Sequence, residues 1–393
     1  ALSAPAGLAL FAFIKAFAVT LVLGAIARSL EKSPADPALA SRTLTVRSPE
    51  GPRQVIYGQV RVGGQLTYAR PLEKVTETPI QLIVSRDGQT ITSTRKTVDR
   101  VLAMIVTLAG HEVQEIGEIR FNDVALSLDG SGFEVGSFAG HARVVKRLGT
   151  ADDAAFDELV TLAGSGYTAN SRQRGCAKIY VELKKNNDLW VTGVPNVSAI
   201  VKGKKVYDPR TGLTVWSDNP ALCLADYLCT PRAGGGQGAV YASEIDEPAL
   251  IAAANVCDEL VALAAGGTEK RYTCNGSFLL SEQPQQIIER LLSAMAGRMV
   301  YVGGKWRILA GAYNVPTVTL TDSDARGPVK TQSRLSRSEV FNAVRGVFVS
   351  ASNAWQPTDF PPVLSTTYEA QDSGERISRD IELAFATSAA MAQ

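Results

Sequence analysis

The sequence predicts a β-rich α+β chain divided into several domains, and three observations carry that expectation. Alternating apolar and polar runs recur in both halves, as where Val197, Ala199 and Val201 alternate with Asn196, Ser198 and Lys202, the period of a half-buried strand. Helical spacing is rarer and clearest over Pro284–Ala296, where Ile287, Ile288, Leu291, Leu292 and Met295 form one stripe before Gly297. The chain has 393 residues, 45% apolar and 20% charged, which suits two or three packed cores and not a disordered chain.

Charge gives no global attraction to DNA or to an anionic membrane, because 40 basic residues face 39 acidic ones for a net charge of +1. The basic runs at Lys184–Lys185 and Lys202, Lys204 and Lys205 lack interleaved aromatics and read as solvated faces, not a nucleic-acid track. The five cysteines, Cys176, Cys223, Cys229, Cys257 and Cys274, are odd in number and contain no C-x-x-C pair. Free buried thiols in a reducing compartment are the expectation, with Cys257 and Cys274 the one pair worth testing for a bond.

From the N-terminus, Gly7–Ile26 is a near-continuous apolar run carrying Phe11, Phe13, Phe17 and Leu21, interrupted by Lys15. It is long enough for a membrane span, yet it has neither a charged leader nor a convincing cleavage site. A helix enclosed by protein partners is the preferred reading, and membrane contact stays open. Ser33–Pro37 reads as a linker. Residues 55–62 and 66–68 read as a hairpin around Gly63 and Gly64, followed by strands over Val101–Leu108 and Glu115–Phe121 joined across Gly110 and His111. Val113, Ile116 and Ile119 break strict alternation, so a bulge is expected there. Ser127–Gly140 reads as a mobile surface loop, Asp152–Ala163 as a helix with an acidic first turn, and Cys176–Leu183 as a strand.

The stretch from Trp190 to Leu228 joins the β-rich half to the helix-bearing half. Asp208-Pro209-Arg210-Thr211-Gly212 has turn chemistry. Ser217, Asp218, Asn219 and Pro220 read as a capped helix start, with Leu222, Leu224, Ala225 and Leu228 behind them. Glu247–Ala265 reads as a second helix ended by Gly266 and Gly267, and Arg298–Val302 with Lys305–Leu309 as a tight hairpin. A last β-rich segment runs from Val315 to Phe385, with strands at Val340–Val349 and Ile377–Phe385. The expected division is 1–36 (apolar helix and linker), 37–215 (first β-rich domain), 216–312 (α+β) and 313–393 (second β-rich domain, continuing past the last residue).

Catalytic chemistry finds little to stand on. His111 and His141 are the only histidines, neither lies in H-E-x-x-H, and no G-x-S-x-G elbow exists. Asp152–Asp153 and Asp322/Asp324 fit turns and helix starts, and Gly234–Gly238 lacks the lysine and hydroxyl of a phosphate loop. Trp190, Trp216, Trp306 and Trp355 are dispersed like core or interface anchors. No catalytic residue, metal ligand or cofactor is therefore expected.

A resemblance gives a more specific expectation. Trp216-Ser-Asp-Asn-Pro-Ala221, Val256-Cys-Asp-Glu-Leu-Val261, Gly267-Thr-Glu269, Tyr272-Thr-Cys-Asn275, Leu291–Met295, Val300-Tyr301 and Gly303-Gly-Lys305 follow one another in an order that resembles the tail tip attachment (host specificity) proteins of lambda-like long-tailed phages, in their N-terminal hub portion. The similarity extends over roughly residues 50 to 385. It implies a non-enzymatic baseplate hub: a homotrimer around the tail axis, each copy with two barrel-like β domains. The partners it implies are distal tail and tube-capping proteins, a tape measure protein and receptor-binding fibres, with DNA passing through the lumen unread. The candidate ring contacts are the segments of Tyr57, Val60 and Val62 and of Phe341 and Val347. The long C-terminal fibre-like modules of that family are absent from the sequence, so host-receptor recognition by these residues is not implied. The rival classes are a membrane-anchored cell-wall-active enzyme and a receptor-binding adhesin.

Overall fold

The computed structural model describes residues 43–46, 51–83, 90–191, 193–264, 266–313 and 340–392, with isolated positions between 318 and 327. The apolar run Gly7–Ile26, with Phe11, Phe13, Lys15, Phe17 and Leu21, and the Ser33–Pro37 linker lie outside the described residues. Among the described residues no helix is long and apolar enough to cross a membrane.

The described chain enters through β1 (Gln54–Tyr57) and β2 (Gln59–Val62), separated by Gly58 at φ 61°. The hairpin expected with residues 66–68 does not form. A Cβ on Gly63 would lie 2.2 Å from the Leu44 carbonyl carbon, and Gly64 sits at φ 65°, so the chain turns out of one sheet into another instead of doubling back. The next strands, β3 (Gln65–Ile83) and β4 (Thr90–Ala109), pair with each other over nearly their whole length. After them come β5 (Glu115–Phe121), β6 (Val124–Ala125), β7 (Ala142–Arg147), the one-turn helix α1 (Asp157–Val160), β8 (Ala177–Lys184) and β9 (Val197–Lys202).

These strands make two four-stranded sheets, ordered β3-β4-β8-β7 and β2-β9-β5-β6. The bulge expected around Ile116 and Ile119 is present as a register shift between them against β9. Because β8 covers β4 only from Val101 onward, the outer halves of β3 and β4 stand as a two-stranded arm. The helix expected over Asp152–Ala163 shrinks to α1. The Asp153 carboxylate accepts the Gly149 N–H at 2.8 Å and the Thr150 hydroxyl at 2.6 Å, fixing a turn where the helix would begin. Within Ser127–Gly140, buried Glu134 accepts N–H groups of Gly136 and Phe138 at 2.8 and 2.7 Å, and the Phe138 ring stacks on Trp190 at 5.3 Å.

The hairpin β10 (Lys205–Asp208) and β11 (Leu213–Trp216) leads into α2 (Pro220–Cys229). The single turn α3 (Tyr241–Glu244) and the helix α4 (Glu247–Asp258) follow. The helix expected to reach Ala265 stops at Asp258, whose carboxylate is taken by Arg210 and Lys270. Residues beyond it form the hairpin of β12 (Leu260–Ala262) and β13 (Thr268–Lys270), turning at Gly266 and Gly267 with φ near 89° and 87°. Strand β14 (Gly276–Leu279) then pairs with β1, across more than 200 residues. It is followed by α5 (Pro284–Ser293) and the hairpin β15 (Arg298–Val302) with β16 (Lys305–Leu309), whose Gly303 and Gly304 carry the positive φ of a primed turn.

In the last segment β17 (Ala343–Ser350) lies between β18 (Gln356–Leu364), antiparallel, and β19 (Ser378–Leu383), parallel, with short helices α6 (Thr366–Gln371) and α7 (Ala389–Ala392) beside them. Strand β18 escapes sequence reading because it contains Pro357, Pro361 and Pro362, which an edge strand tolerates. Among the described residues every sheet is open and none closes into a barrel.

One core joins these parts. It runs from β1, β2, β5, β8 and β9 through α2, α4 and α5, and takes in Trp355 and Phe385 from the last segment. Arg61, 1% exposed, ties the same parts with polar bonds. It donates to Ser198 Oγ at 2.9 Å, to Asp123 at 2.7 Å and to the Ala354 carbonyl at 3.2 Å. The cysteines are all free. Cys257 and Cys274 are not bonded.

Two outcomes follow. Asn219 accepts the Ala221 and Leu222 N–H groups at the start of α2 and donates to the Ala254 carbonyl at 2.9 Å, wholly buried. Asn219→Ala removes the cap and the buried bond to α4, and should cost about 2 kcal/mol in urea denaturation. His111 accepts the Ile56 N–H through Nε2 at 3.0 Å and bonds the Glu112 carbonyl through Nδ1 at 2.7 Å. Burial lowers its pKa from the ordinary 6.5 to about 4. The fold holds the neutral ring, so its contribution is complete above about pH 6.5 and is lost as pH falls toward 4. With part of the ring still at solvent, we expect about 2 kcal/mol over that window. Urea midpoints at neutral pH and near pH 4.5 should differ accordingly, and His111→Gln should flatten the difference.

Candidate functional site

The turn and helix start singled out in the sequence converge on an ionic lattice. In the β10–β11 turn the Thr211 and Gly212 N–H groups bond the Asp208 carbonyl, Pro209 fixes the approach and Gly212 takes φ 71°. Arg210 folds back on the Asp208 carboxylate with Nε at 2.9 Å and Nη2 at 2.8 Å, and reaches Asp258 at the end of α4 at 2.8 Å. Lys270 of β13 bonds Asp218 at 2.7 Å and Asp258 at 3.1 Å. Ser217 Oγ accepts the Asn219 N–H, Asn219 caps α2 and Pro220 opens it. Asp218, expected in a capping role, instead pairs with Lys270, and its carbonyl accepts the Cys274 N–H at 2.6 Å.

The electrostatics of this lattice are those of a brace. Hydrogen bonds from Arg210 hold Asp208 below its ordinary range, and Arg210 is raised by the same contact. Burial pushes Asp258 upward, but bonds from Arg210 and Lys270 outweigh it and leave it lowered. Lys270 is pulled down by desolvation and more strongly up by Asp218 and Asp258. Asp208, Arg210, Asp258 and Lys270 are thus driven to their charged forms, and none of the four is poised to move a proton near neutrality. Sequence reading missed Arg210, Asp258 and Lys270 as a unit. The only signal was an arginine inside a turn that needed none.

The remaining reactive side chains are likewise occupied. His141 bonds the Ala139 carbonyl and Asn186, both at 3.0 Å. Burial raises the Cys223 thiol far above its ordinary value, and pushes Cys257 up to about 12. Among the described residues there is no group of three or more histidine, cysteine or acidic side chains able to hold a metal ion.

Outward, the fold presents a two-stranded arm and an apolar cleft. Over residues 73–79 and 94–100 the arm of β3 and β4 is exposed on both faces and is held by cross-strand pairs, Glu77 with Lys96 at 2.7 Å and Glu73 with Arg100 at 3.7 Å, around the exposed pair Val75 and Val98. A two-stranded ribbon of this kind is marginal in water alone and gains from a partner. At its root lies an apolar cleft of about 710 Å³ between Leu102, Leu183, Trp190 and Val194. Of the segments expected at a ring contact, Tyr57 on β1 and Val60 and Val62 on β2 have their side chains in the chain's own core, and β2 lies at the end of its sheet. Val347 lies on the middle strand of its sheet with both sides paired, while Phe341 is 42% exposed.

Likenesses to known proteins stand beside this geometry. Residues 283–393 match a family described as putative phage tail protein. A stretch of 193 residues is 25% identical to the tip attachment protein J of Escherichia phage SECphi27, covering 45% of this chain. The chain matches only 16% of that relative's length. In fold, the chain aligns over 93% of its length with 74% of a chain in the virion of a native gene transfer agent particle, at a TM-score of 0.51 and 16% identity. By these likenesses the chain resembles a phage tail tip protein, and its residues 283–393 match a phage tail protein family.

Proposed function

We propose that the chain is a structural hub of a phage tail tip, closing the tail tube and linking it to the other tip proteins. The observation that carries this reading is a virion-protein fold spanning 93% of the chain, together with a tip-attachment likeness in sequence. The hub is a homotrimer around the tail axis. The two four-stranded sheets, drawn from residues 59–202, supply the first β domain of each copy. The three-stranded sheet belongs to the second, from roughly 315–393. Open sheets of this kind complete their barrels against neighbours, and three copies with two domains each offer a six-fold-like ring to a hexameric tube. Distal tail and tube-capping proteins, the tape measure protein and receptor-binding fibres are its partners. DNA crosses the lumen without sequence reading, in keeping with a net charge of +1. Virion assembly takes place in the host cytoplasm, where free thiols persist.

Particles produced without this chain test the reading. We expect filled heads with absent or unfinished tails and no infectivity, restored when the chain is supplied in trans. Complete tails that fail only to adsorb would instead mark an adhesin. Complete tails that adsorb but do not breach the cell wall would mark an enzyme.

A further inference from the structure

Each copy carries two exposed apolar surfaces of opposite charge. The first is the cleft at the root of the β3–β4 arm, floored by Leu102, Leu183 and Trp190 and rimmed by Arg70, Arg100 and Lys185. Glu73 is the one carboxylate at that rim and lies 3.7 Å from Arg100. Arg70 donates to the Ser165 carbonyl at 3.2 Å, and among the described residues neither Arg70 nor Lys185 pairs with a carboxylate. The rim is therefore positive beside a dry floor.

The second surface lies at one end of the last sheet, where Phe341, Leu364 and Tyr368 are 42%, 41% and 57% exposed. Buried Asn342 gathers it. Its amide donates to Asp372 at 2.9 Å and to the Glu375 carbonyl at 2.7 Å, and its carbonyl accepts the Ser365 N–H at 2.9 Å. Around it stand Glu369, Asp372 and Glu375 against Arg376 and Arg379, a local charge of −1. Arg376 pairs with Glu369 at 3.2 Å, and Arg379 lies over the Phe341 ring at 5.4 Å.

We propose that the acidic apolar face of Phe341, Leu364 and Tyr368 in one copy seats on the cationic cleft of the next copy. Two different patches on one chain make a heterologous contact, and such a contact closes into a ring when its rotation divides the circle. Apolar side chains at the centre with opposite charges at the rim give both burial and orientation. A two-fold pairing would set like patches, and like charges, against each other. The proposal rests on the tail-hub reading and names the contact that would hold the ring.

The full chain and its variants are weighed by analytical ultracentrifugation across a concentration series, at about 50 mM and about 500 mM salt, on either side of the ionic strength that screens rim charges. Wild type should form a trimer that weakens at high salt. Arg70→Glu with Lys185→Glu should raise the dissociation constant at least tenfold, and so should Glu369→Lys with Glu375→Lys. Mixing the two doubly substituted chains should not restore the ring, whereas the quadruple variant should bind within about threefold of wild type. Tyr368→Ala changes no charge and should also weaken assembly, which keeps the contact testable if a charge variant misfolds by near-UV circular dichroism. Folded double variants that assemble like a wild-type trimer, or a quadruple variant that stays dissociated, overturn this contact and leave the hub reading standing. A wild-type chain that is monomeric, or a two-fold dimer, at every concentration overturns both.

Discussion

The fold depends on enclosing one helix. Eight of the ten residues of α2, from Pro220 to Leu228, are buried, so the helix has no face for water and must be surrounded. Helices α4 and α5, the β10–β11 hairpin and strand β1 do this. Asp226 and Cys229 are the exceptions on that helix, and the Asp226 carboxylate is met by Tyr57 and Lys204, the latter at 2.6 Å. Burial and that carboxylate together raise the Tyr57 hydroxyl well above its ordinary pKa, so it remains a donor. The same contact explains why β1 leaves β2 at Gly58: its tyrosine is needed at the helix, and its backbone pairs with β14.

From this centre the polar braces extend in two directions. The lattice of Asp208, Arg210, Asp218, Asp258 and Lys270 ties the entry of α2 to the exit of α4. Arg61 ties the second sheet to the turn before Trp355, where Ala354 and Trp355 both hold positive φ, at 51° and 63°. Non-glycine residues hold that conformation only when their surroundings over-determine it. Here the buried indole and the Arg61 bond do so, and the last sheet is thereby fastened to the body. A molecule braced in this way suits a fixed structural role better than a gating one.

The parts legible in the sequence were those decided by near neighbours. The Asp208–Gly212 turn, the Asn219 cap, the stripe of α5 and the two-glycine hairpin each use chemistry confined to a few residues. What stayed hidden was decided at a distance. Gln54–Tyr57 finds its partner at Gly276–Leu279, and no local pattern announces a pairing that remote. The arm was unreadable because charged residues interrupt its pattern. Glu73, Lys74, Glu77, Lys96 and Asp99 spoil the period of two, and their complementarity exists only once the register sets Glu73 against Arg100 and Glu77 against Lys96. Prolines disguised β18, and a turn-fixing Asp153 cut short a helix that composition favoured. The outward-facing surfaces were legible only as a family expectation, since exposure cannot be read from a period that the register alone defines.

On the proposed hub reading, function rests on geometry between copies more than on any side chain's chemistry. The central claim is most directly tested by a cryo-electron microscopy map of the tail end in intact particles. The account predicts three copies around the axis at the tip, α2 inside each, and the cleft of Arg70 and Lys185 covered by the neighbouring copy. Density for the chain along the tail shaft or in the head, or any copy number other than three at the tip, would contradict it.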